Sequence, residues 1–556
     1  MILHIVPLHK LQAASTTTHS HFWRLLMNFA RGKLMLASFL TLVASGVGFA
    51  TRTAAGGDWE REFNIGGAEF GAILGAGFLG FGLMIFFGGI LVEKFGYKKL
   101  LLIACVFHLI SAGMLFLANP LFDSWRQTNP EDATARVFNV LFWSAFIFSI
   151  CQGLYEAVIN PLIAQLYPDN KTHYLNILHA GWPAGMIIGG LFAAGFIGEN
   201  AWFIQLPWQW ALASFSVVVV GYGIMVLPEK FPETVGESSG NFATVFSCFI
   251  SIPFLVLIVL HGLVGYMELG VDSWMTKLME NLLPNSILIL VYTSLLMFIL
   301  RFFAGPIVHK VNPIGLLFGS SIIACLGLLW LGSPIQSVFM IFVAATFYSF
   351  GKAFLWPTML GVAGERYPQS GSVAMGALGA AGMICVGQIA GPRIGTQQGF
   401  EMSQHLEQTA PDTFSRYATT DVTQSWGYEY RALDAAKLNA ANATELVDGK
   451  PQSTAAITNA ALIPDSEKNT LVKNASTDFK AVQDSYLFGG RQALRLTSYI
   501  PGAMAIGFLG MLIYFRAIGG YKVIHLDGTE ESHEGGTGEE TPDGTGPEDT
   551  PAASEY

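Results

Sequence analysis

Polar side chains stand at regular helical spacing inside long apolar segments of this chain. Gln152, Glu156 and Asn160 follow one another at i, i+4 and i+8, so they share one face of a helix. An ionisable group in such a segment is costly to bury and is therefore a candidate for function. A carboxyl among amides can bind and release a proton, and the same groups can bind a polar substrate. We predict substrate or proton binding by this face, with a structural hydrogen-bond network as the alternative.

A second set, Tyr348, Lys352 and Trp356, has the same spacing. At an offset of 200 residues, Lys352 corresponds to Gln152 and Trp356 to Glu156. If the two segments pack face to face, Lys352 comes within reach of Glu156, and we predict that they pair. The alternative is that the lysine extends to the membrane interface. Trp356 offers a flat platform for a sugar ring.

A third set lies between these two in the sequence. Glu268 and Asp272 are one helical turn apart, with Tyr266 and Trp274 beside them. We predict that Glu268, together with Tyr266, belongs to a binding site. Asp272 is expected at the outer interface, where Trp274 suits an aromatic belt.

Five further polar residues lie in or beside apolar segments. His179, Trp182 and Gln388 are weaker candidates for the same site, because polar groups in such helices often only join neighbouring helices. Arg52, near the outer end of the first apolar segment, could serve an anionic substrate. Arg301 is expected to anchor the inner face rather than to contact substrate.

The composition indicates that lipid surrounds the elements carrying these residues. Of 556 residues, 52% are hydrophobic and only 13% charged, where soluble domains carry about 25%. A membrane helix needs roughly 20 mostly apolar residues. We therefore predict an all-α polytopic membrane protein of twelve transmembrane helices, near residues 34–54, 66–92, 100–118, 138–166, 175–197, 207–227, 244–270, 286–308, 314–333, 336–363, 371–395 and 495–518.

Basic residues set the predicted orientation. With the amino terminus inside, short flanking segments carry eleven Lys and Arg on the inner side and five on the outer side. We therefore expect a multi-pass protein of the cell inner membrane with both termini in the cytoplasm. The predicted order is a cytoplasmic segment 1–33, a six-helix bundle 34–227, a cytoplasmic linker 228–243, five helices 244–395, an extracytoplasmic insertion 396–490, the twelfth helix 491–520 and a disordered acidic tail 521–556.

Two parts of this order lie outside the membrane helices. The insertion is polar, and its segments 431–447 and 465–485 could form helices. It is either a tolerated surface excursion or a cap over the outer mouth. Residues 527–556 hold ten acids and no Lys or Arg, and a segment of that composition cannot bury a core. The remaining chain carries 30 acids and 30 bases, which leaves no basic surface for a nucleic acid.

The two bundles contain short sequence segments that recur at fixed offsets, which we call internal echoes. The string GGILVEKFG from Gly88 returns in part as AGPIVHKVN from Ala304, at an offset of 216 residues. Tyr167 and Pro168 return as Tyr367 and Pro368, at an offset of 200. We therefore predict two pseudo-symmetric halves. Binding residues near the midplane between such repeats are the layout of alternating-access carriers.

The first echo carries a resemblance. GGILVEKFGYKK at 88–99 is similar to the signature of the major facilitator superfamily in the loop between helices two and three, with Glu93 where the family usually has Asp. The resemblance covers nearly all of the chain except its ends and the insertion. A charge cluster there can latch one conformation, whereas the alternative is positive-inside anchoring. The predicted inner-face gate is Gly89, Glu93, Lys94, Gly96, Lys98 and Lys99.

A narrower resemblance is to the fucose permease type of sugar:proton symporters. Residues 153–190 carry an E-x-x-x-N-P element at Glu156, followed by an L-N-x-x-[HQ] element that ends at His179. Glu268 and Trp274 resemble a further element of that group. Fucose permeases place an acid in the first helix for coupling, and here that helix has no acid but carries Arg52. The same pair of coupling acids is therefore not expected.

These observations favour a secondary active transporter over an enzyme. No nucleotide-binding, metal-ligand or nucleophile motif occurs in a suitable context, so neither a cofactor nor a metal is predicted. The leading hypothesis is proton symport of a small polar solute, a sugar, with Glu156 and Glu268 as titrating groups. The alternatives are a carrier of nucleosides, organic acids or inorganic anions using Arg52 and Lys352, and a non-transporting membrane sensor. The expected partners are the solute, a coupling proton and the bilayer, with the protein a monomer.

Overall fold

The computed structural model describes most of the chain, and nearly all of that is helical. The described residues are 8–63, 65, 67–129, 132–197, 201–234, 242–279, 287–335, 337–442, 446–447, 450–451, 457–458, 460, 463–526 and 528–532. Part of the predicted linker, at 235–241, and most of the predicted acidic tail, at 533–556, lie outside these residues.

The first half contains six spans, which we number along the chain. Most are long single helices, because their apolar residues run without a break for five turns or more. Their bounds are span 1, Leu8–Ala54, with the short helix Gly56–Phe63 after it; span 2, Gly67–Phe95; span 3, Tyr97–Thr128; span 4, Ala133–Leu166; span 5, Lys171–His179 and Gly181–Phe196; and span 6, Trp208–Ala213 and Phe215–Val226.

The second half repeats the arrangement with more interruptions. A 3-10 helix, Phe242–Ile250, precedes it. Its bounds are span 7, Ile252–Gly265, Tyr266–Gly270 and Val271–Met279; span 8, Ile287–Arg301; span 9, Ala304–Leu331; span 10, Val338–Lys352 and Leu355–Arg366; span 11, Gly371–Cys385, Val386–Ala390 and Gly391–Thr409; and span 12, Asp465–Thr497 and Tyr499–Ala517.

The two halves together contain twelve helical spans among the described residues. Eleven are long and apolar enough to cross a membrane, and the shorter apolar helix Ile287–Arg301 is the twelfth within the described residues. The predicted all-α polytopic membrane protein with two six-helix halves is confirmed. Span 11 extends beyond its predicted end to Thr409, and span 12 begins earlier than predicted, at Asp465. These polar extensions pack against each other outside the apolar region.

The internal echoes correspond to matching turns. Gly96 follows span 2 with φ 78° and ψ 163°, and Asn312, its counterpart at the offset of 216, has φ 56° and ψ 166°. Glycine adopts positive φ without strain, and asparagine tolerates it better than most residues. The structure therefore places the same sharp turn in both halves, which the sequence echo alone did not specify.

The second echo also marks equivalent junctions. Tyr167 and Tyr367 cap spans 4 and 10, and each is followed by one 3-10 turn, Pro168–Asn170 and Pro368–Ser370. Spans 5 and 11 begin directly after these turns.

Glycines allow the two halves to touch closely. We name the end that carries residues 88–99 the signature face, and the end that carries residues 396–490 the insertion face. A Cβ on Gly376 of span 11 would lie 2.6 Å from the carbonyl oxygen of Ile85 in span 2. A Cβ on Gly89 would lie 2.7 Å from the carbonyl oxygen of Ser372. Spans 2 and 11 are therefore in backbone contact toward the signature face.

The insertion forms a folded unit with its own apolar core. Within it are the helices Pro411–Tyr417 and Ala435–Asn442 and the strand pairs β1 (Ala418–Ser425) with β2 (Tyr428–Leu433) and β3 (Leu446–Val447) with β4 (Lys450–Pro451). Its core is separate from the membrane core and includes Leu406, Phe414, Tyr417, Leu471, Val482 and Tyr486.

The two helices predicted inside the insertion had different outcomes. The prediction for 465–485 is confirmed by the helix that starts at Asp465. The prediction for 431–447 is confirmed in part, because Ala435–Asn442 is helical, whereas its first residues belong to β2 and Leu446–Val447 form β3. Tyr428 and Tyr430, on one face of β2, pack against Phe400 of span 11.

The prediction that the carboxyl-terminal segment is disordered from residue 521 onward is wrong for the first part of that segment. β5 (Lys522–Ile524) pairs antiparallel with β6 (Glu530–Ser532). Tyr521 is buried, and its hydroxyl donates to the Glu365 carboxylate at 2.7 Å. Composition missed this hairpin because its few apolar residues precede the acidic run and dock on the signature face.

Candidate functional site

A small cavity lies between the halves at mid-height. Glu156, His179 and Trp182 line it from the first half, and Glu268, Leu269, Arg301, Trp356 and Met383 line it from the second. Its volume of about 20 Å³ holds about one water molecule. The five predicted site residues in this lining, namely Glu156, His179, Trp182, Glu268 and Trp356, are therefore brought together, in a conformation closed around them.

Arg301 is the hub of this site. Its Nη2 donates to Glu268 Oε1 at 2.9 Å, its Nε donates to the Ala353 carbonyl at 2.8 Å, and its Nη1 donates to the His179 carbonyl. These contacts join spans 7, 8 and 10 to span 5 of the other half. The expectation that Arg301 anchors the inner face is wrong, because the turn at Phe302–Phe303 ends span 8 and leaves Arg301 only 1% exposed, inside the bundle.

Glu268 sits in an irregular part of span 7. Tyr266–Gly270 is one π-helical turn, and such turns re-aim side chains and often occur at functional sites. Glu268 Oε1 is bound by Arg301, while its Oε2 has no hydrogen-bond partner among the described residues. One carboxylate oxygen is thus left for a proton, a water or a substrate.

The first half contributes a chain of hydrogen bonds. The His179 Nε2 and Asn160 Oδ1 atoms are 2.9 Å apart, and Asn160 Nδ2 donates to Glu156 Oε2 at 3.4 Å. All three side chains are buried. Two residues of the predicted helix face, Glu156 and Asn160, therefore join one network with His179, and that network continues through the His179 carbonyl to Arg301.

Lys352 has a different partner from the one predicted. Its Nζ lies 2.6 Å from both carboxylate oxygens of Asp272, and the Tyr348 hydroxyl donates to Asp272 Oδ1 at 3.3 Å. The predicted Lys352–Glu156 pair is wrong, because Lys352 points into its own half. The expectation that Asp272 reaches the outer interface is also wrong, since it is 2% exposed and paired inside the bundle.

A second cavity lies next to the first on its insertion side. Its volume is about 50 Å³, and Phe49, Phe78, Phe81 and Phe148 contribute aromatic walls. Arg52, Gln152 and Trp182 also line it. Among the described residues, Arg52 Nη2, Gln152 Nε2 and Trp182 Nε1 have no hydrogen-bond acceptor. Three buried donors thus face an aromatic cavity.

Arg52 is held in this cavity by an aromatic ring. Its guanidinium carbon lies 3.9 Å from the centre of the Phe148 ring, and the residue is 5% exposed. No acid forms an ion pair with it within the described part of the chain, whereas Arg301 and Lys352 each have one. The sequence identified this residue but could not tell that it is the unpaired cation of the three.

Two predicted site residues lie elsewhere. Gln388 is exposed on the π-helical turn Val386–Ala390 of span 11, and Tyr266 is buried within the second half. Neither lines the two cavities described. A π-helical turn shifts the register of every later side chain, so simple helical spacing could not have assigned their directions.

One residue was missed. His261 is fully buried behind Trp356, with ring centres 4.4 Å apart, and neither ring nitrogen has a partner among the described residues. It precedes Glu268 by seven residues, which is two helical turns and the same face. That spacing was the available signal.

The predicted gate residues adopt a simpler arrangement than a charge cluster. Glu93 Oε1 accepts hydrogen bonds from the Ser372 backbone N at 3.1 Å and from its hydroxyl. Lys98 Nζ donates to the carbonyl oxygens of Leu227 and Glu229, and Lys94 and Lys99 are exposed. Glu93 therefore binds across the halves to a hydroxyl, while Lys98 fastens the end of span 6.

Comparison with known proteins supplies a family. A sequence model of the Major Facilitator Superfamily matches residues 34–392. The cis,cis-muconate transport protein of Acinetobacter baylyi is 24% identical over 274 residues, which are 47% of this chain and 59% of that protein. The match thus spans less than two thirds of the relative's length.

Solved structures share the fold at low identity. FucP in its outward conformation, the fucose:proton symporter of E. coli, superimposes with a TM-score of 0.51 and 17% identity, covering 66% of this chain and 91% of that one. The human organic anion transporter MFSD10 gives 0.54 and 12%, covering 87% and 99%.

Proposed function

Since the chain belongs to the Major Facilitator Superfamily, we propose that it is a proton-coupled secondary transporter that moves a small organic anion across the membrane by alternating access. The observation that carries the choice of substrate is the unpaired, buried Arg52 in an aromatic cavity.

A buried cation without a partner favours an anionic substrate, because the uncompensated charge is costly. An uncompensated cation inside a protein is destabilising by several kcal/mol, whereas a carboxylate bound to it offsets that cost. Arg301 and Lys352 already have carboxylate partners at 2.9 and 2.6 Å. Arg52 is the buried cation left to receive a ligand, and the donors of Gln152 and Trp182 can bind the same anion.

Two carboxyl groups at the central cavity support proton coupling. Glu156 and Glu268 line one cavity from opposite halves, and Arg301 links Glu268 to the His179 carbonyl of the first half. A proton on Glu268 would remove the charge that holds Arg301. Arg301 would then be free to release its contact to the other half, so proton binding favours separation of the halves.

Two of the similar proteins agree with an anionic substrate, whereas FucP, a fucose:proton symporter, agrees with a sugar, and none of them assigns the substrate of this chain. The muconate transport protein is named for a dicarboxylate, and MFSD10 for organic anions. The orientation deduced from basic residues puts the signature face and both termini in the cytoplasm of a cell with an inner membrane. The insertion then faces the extracytoplasmic side, and we propose a monomer as the transporting unit.

A neutral sugar remains the second candidate. It is favoured by Trp182 and Trp356, which face the central cavity beside the Glu156 carboxylate, since aromatic rings and carboxylates suit a hydroxyl-rich ring. The two candidates differ in their need for Arg52.

Binding to the purified protein discriminates them. Thermal shifts would be measured with cis,cis-muconate, benzoate, fucose and glucose on the wild type and on Arg52→Gln. We expect carboxylates to raise the melting temperature of the wild type only. A shift with a sugar that persists in Arg52→Gln, and none with a carboxylate, would reject the anion proposal in favour of the second candidate.

A further inference from the structure

Two hydroxyl–carboxylate bridges cross between the halves at the signature face. The Ser372 hydroxyl at the start of span 11 donates to Glu93 Oε1 in the first half. The Thr172 hydroxyl at the start of span 5 donates to Glu365 Oε1 in the second half, at 2.5 Å. Thr172 and Ser372 are 200 residues apart, which is the offset of the internal repeat. The two donors are therefore equivalent.

The acceptors are not equivalent. Glu93 ends span 2, and its repeat counterpart is His309, whereas Glu365 ends span 10, and its counterpart is Gln165. Duplication therefore does not account for the second bridge. Glu365 lies outside the loop signature, so the motif on the first half could not reveal it.

Glu365 differs from Glu93 in a second respect: it is bound by a residue of the carboxyl-terminal segment. Its Oε2 accepts a hydrogen bond from the Tyr521 hydroxyl at 2.7 Å, and the next residue, Arg366, donates from Nη1 to the Lys522 carbonyl at 2.7 Å. Glu365 and Tyr521 are 4% and 6% exposed. Both oxygens of this buried carboxylate are thus committed, one to each partner.

The hairpin that follows Tyr521 reaches the seam between the halves. His525 and Leu526 line a cavity of about 370 Å³ together with Tyr97 and Lys171 of the first half and Met375 of the second. Lys171 Nζ donates across the seam to the Gly364 carbonyl at 3.0 Å. This cavity has walls from both halves, so its shape depends on the signature face being closed.

We propose that the segment Gly519–Leu526 is a clasp that stabilises the closed signature face by positioning Glu365 for Thr172. Without Tyr521, the Glu365 carboxylate has one fixed oxygen instead of two and can rotate toward solvent. The bridge to Thr172 then weakens, and the equilibrium shifts toward the conformation open at this face. The inference goes beyond the transported substrate and does not depend on it.

Distances between the halves test the clasp. Spin labels would be placed on Asp169→Cys and Gln369→Cys, two exposed and repeat-equivalent turn residues at the signature face, after the five natural cysteines have been replaced. Distance distributions would be recorded in detergent without substrate or proton gradient. One buried hydrogen bond stabilises by about 1 kcal/mol, so Tyr521→Phe should raise the ratio of open to closed molecules about fivefold.

Two further variants separate a clasp from a general loss of structure. Thr172→Val should shift the same ratio by a similar factor, and the double variant should shift it little further, because both changes act on one bridge. The matched control Tyr514→Phe, on an exposed tyrosine of the last span, should leave the distribution unchanged.

The inference is overturned if Tyr521→Phe leaves the distance distribution of the folded protein as it is in the wild type. It is equally overturned if Tyr521→Phe and Thr172→Val shift the ratio by factors that multiply in the double variant. Because no substrate is present, neither result bears on whether the protein carries an anion.

Discussion

At the scale of single residues, three buried cations divide the work of the site. Arg301 is neutralised by Glu268 and also binds the first half, whereas Lys352 is neutralised by Asp272 within the second half. Arg52 belongs to the first half and faces a cavity with no acid in pairing distance among the described residues. Of these three cations, Arg52 is therefore the one without a carboxylate partner among the described residues.

The first prediction concerns Arg52. Arg52→Gln keeps a polar group but removes the charge, and a hydrogen bond to a charged group contributes about 1.5–3 kcal/mol. Affinity for a carboxylate should fall roughly tenfold to a hundredfold. Arg52→Lys should recover part of it, since the charge returns without the planar fork. Titration calorimetry measures both, and equal affinity in all three proteins would contradict the assignment.

The second prediction concerns the carboxyls. Glu156→Gln and Glu268→Gln cannot take up a proton, so each should abolish accumulation driven by a pH gradient while exchange of internal for external substrate continues. Radiolabelled uptake and exchange in the same liposomes separate the two activities. Full pH-driven accumulation in both variants would exclude these groups as the coupling site.

Sequence reasoning found most of these residues but not their partners. Helical spacing correctly joined Glu156 with Asn160, because a period of 3.6 fixes which side chains share a face. It could not fix how that face is rotated against neighbours, and so Lys352 was assigned to Glu156 instead of Asp272. Arg301 was misplaced for a related reason, because the end of span 8 depends on a turn that no composition rule marks.

At the scale of elements, the insertion is stabilised by contacts within itself. The insertion has a core and a buried ion pair of its own, in which Asp478 is bound by Arg416 and by the Thr413 hydroxyl. Hydrogen bonds to Asp478 raise the pKa of Arg416 above its usual value. Because the pKa is raised, this stabilisation is fully present at every pH below the range in which a free arginine side chain titrates, and it is lost only above that range.

The third prediction follows for the insertion. Asp478→Asn leaves Arg416 without its charged partner and should destabilise the insertion. We expect a loss of about 2 kcal/mol, less than for a fully buried pair, because Arg416 is one fifth exposed to solvent. Limited proteolysis should cut between residues 396 and 490 faster than in the wild type. The control is Asp421→Asn, at an exposed strand position. Equal cutting rates in both variants would show that the pair does not stabilise this unit.

The fourth prediction concerns the seam between spans 2 and 11. Gly376→Ala adds a Cβ 2.6 Å from the Ile85 carbonyl oxygen, which is backbone and cannot move aside alone. The closed signature face should be destabilised and the rate of transport should fall several-fold. Gly113→Ala adds a Cβ with no atom within 4 Å and should be neutral. Uptake rates of the two variants would be compared at matched protein content. An unchanged rate in Gly376→Ala would show that the close contact between spans 2 and 11 does not stabilise the closed signature face.

Spans were easier to predict than their irregularities. Runs of apolar residues predicted twelve membrane helices, because lipid requires backbone groups to be satisfied within each span. The π-helical turns at Tyr266–Gly270 and Val386–Ala390 carry no composition signal. Glu268 and Gln388 each lie in one of these turns, and Glu268 lines the central cavity while Gln388 is exposed.

At the scale of the whole molecule, the two halves are alike in scaffold and unlike in charge. Gly96 and Asn312 make the same turn, and Thr172 and Ser372 donate equivalent bridges. The first half contributes Arg52 and Glu156 to the cavities, whereas the second contributes Glu268 and Arg301, which are paired with each other. The signature face is bridged by hydrogen bonds between the halves, and the cavities hold only water-sized ligands. Transport therefore requires the halves to separate.

The central claim is that this protein couples an organic anion to a proton through Arg52 and the central carboxyls. The most direct measurement is uptake of radiolabelled cis,cis-muconate into proteoliposomes with an acidic exterior. The account predicts accumulation above the external concentration by the wild type, its collapse with a protonophore, and none by Arg52→Gln. Wild-type vesicles that concentrate labelled fucose under the same gradient but leave muconate outside would contradict it.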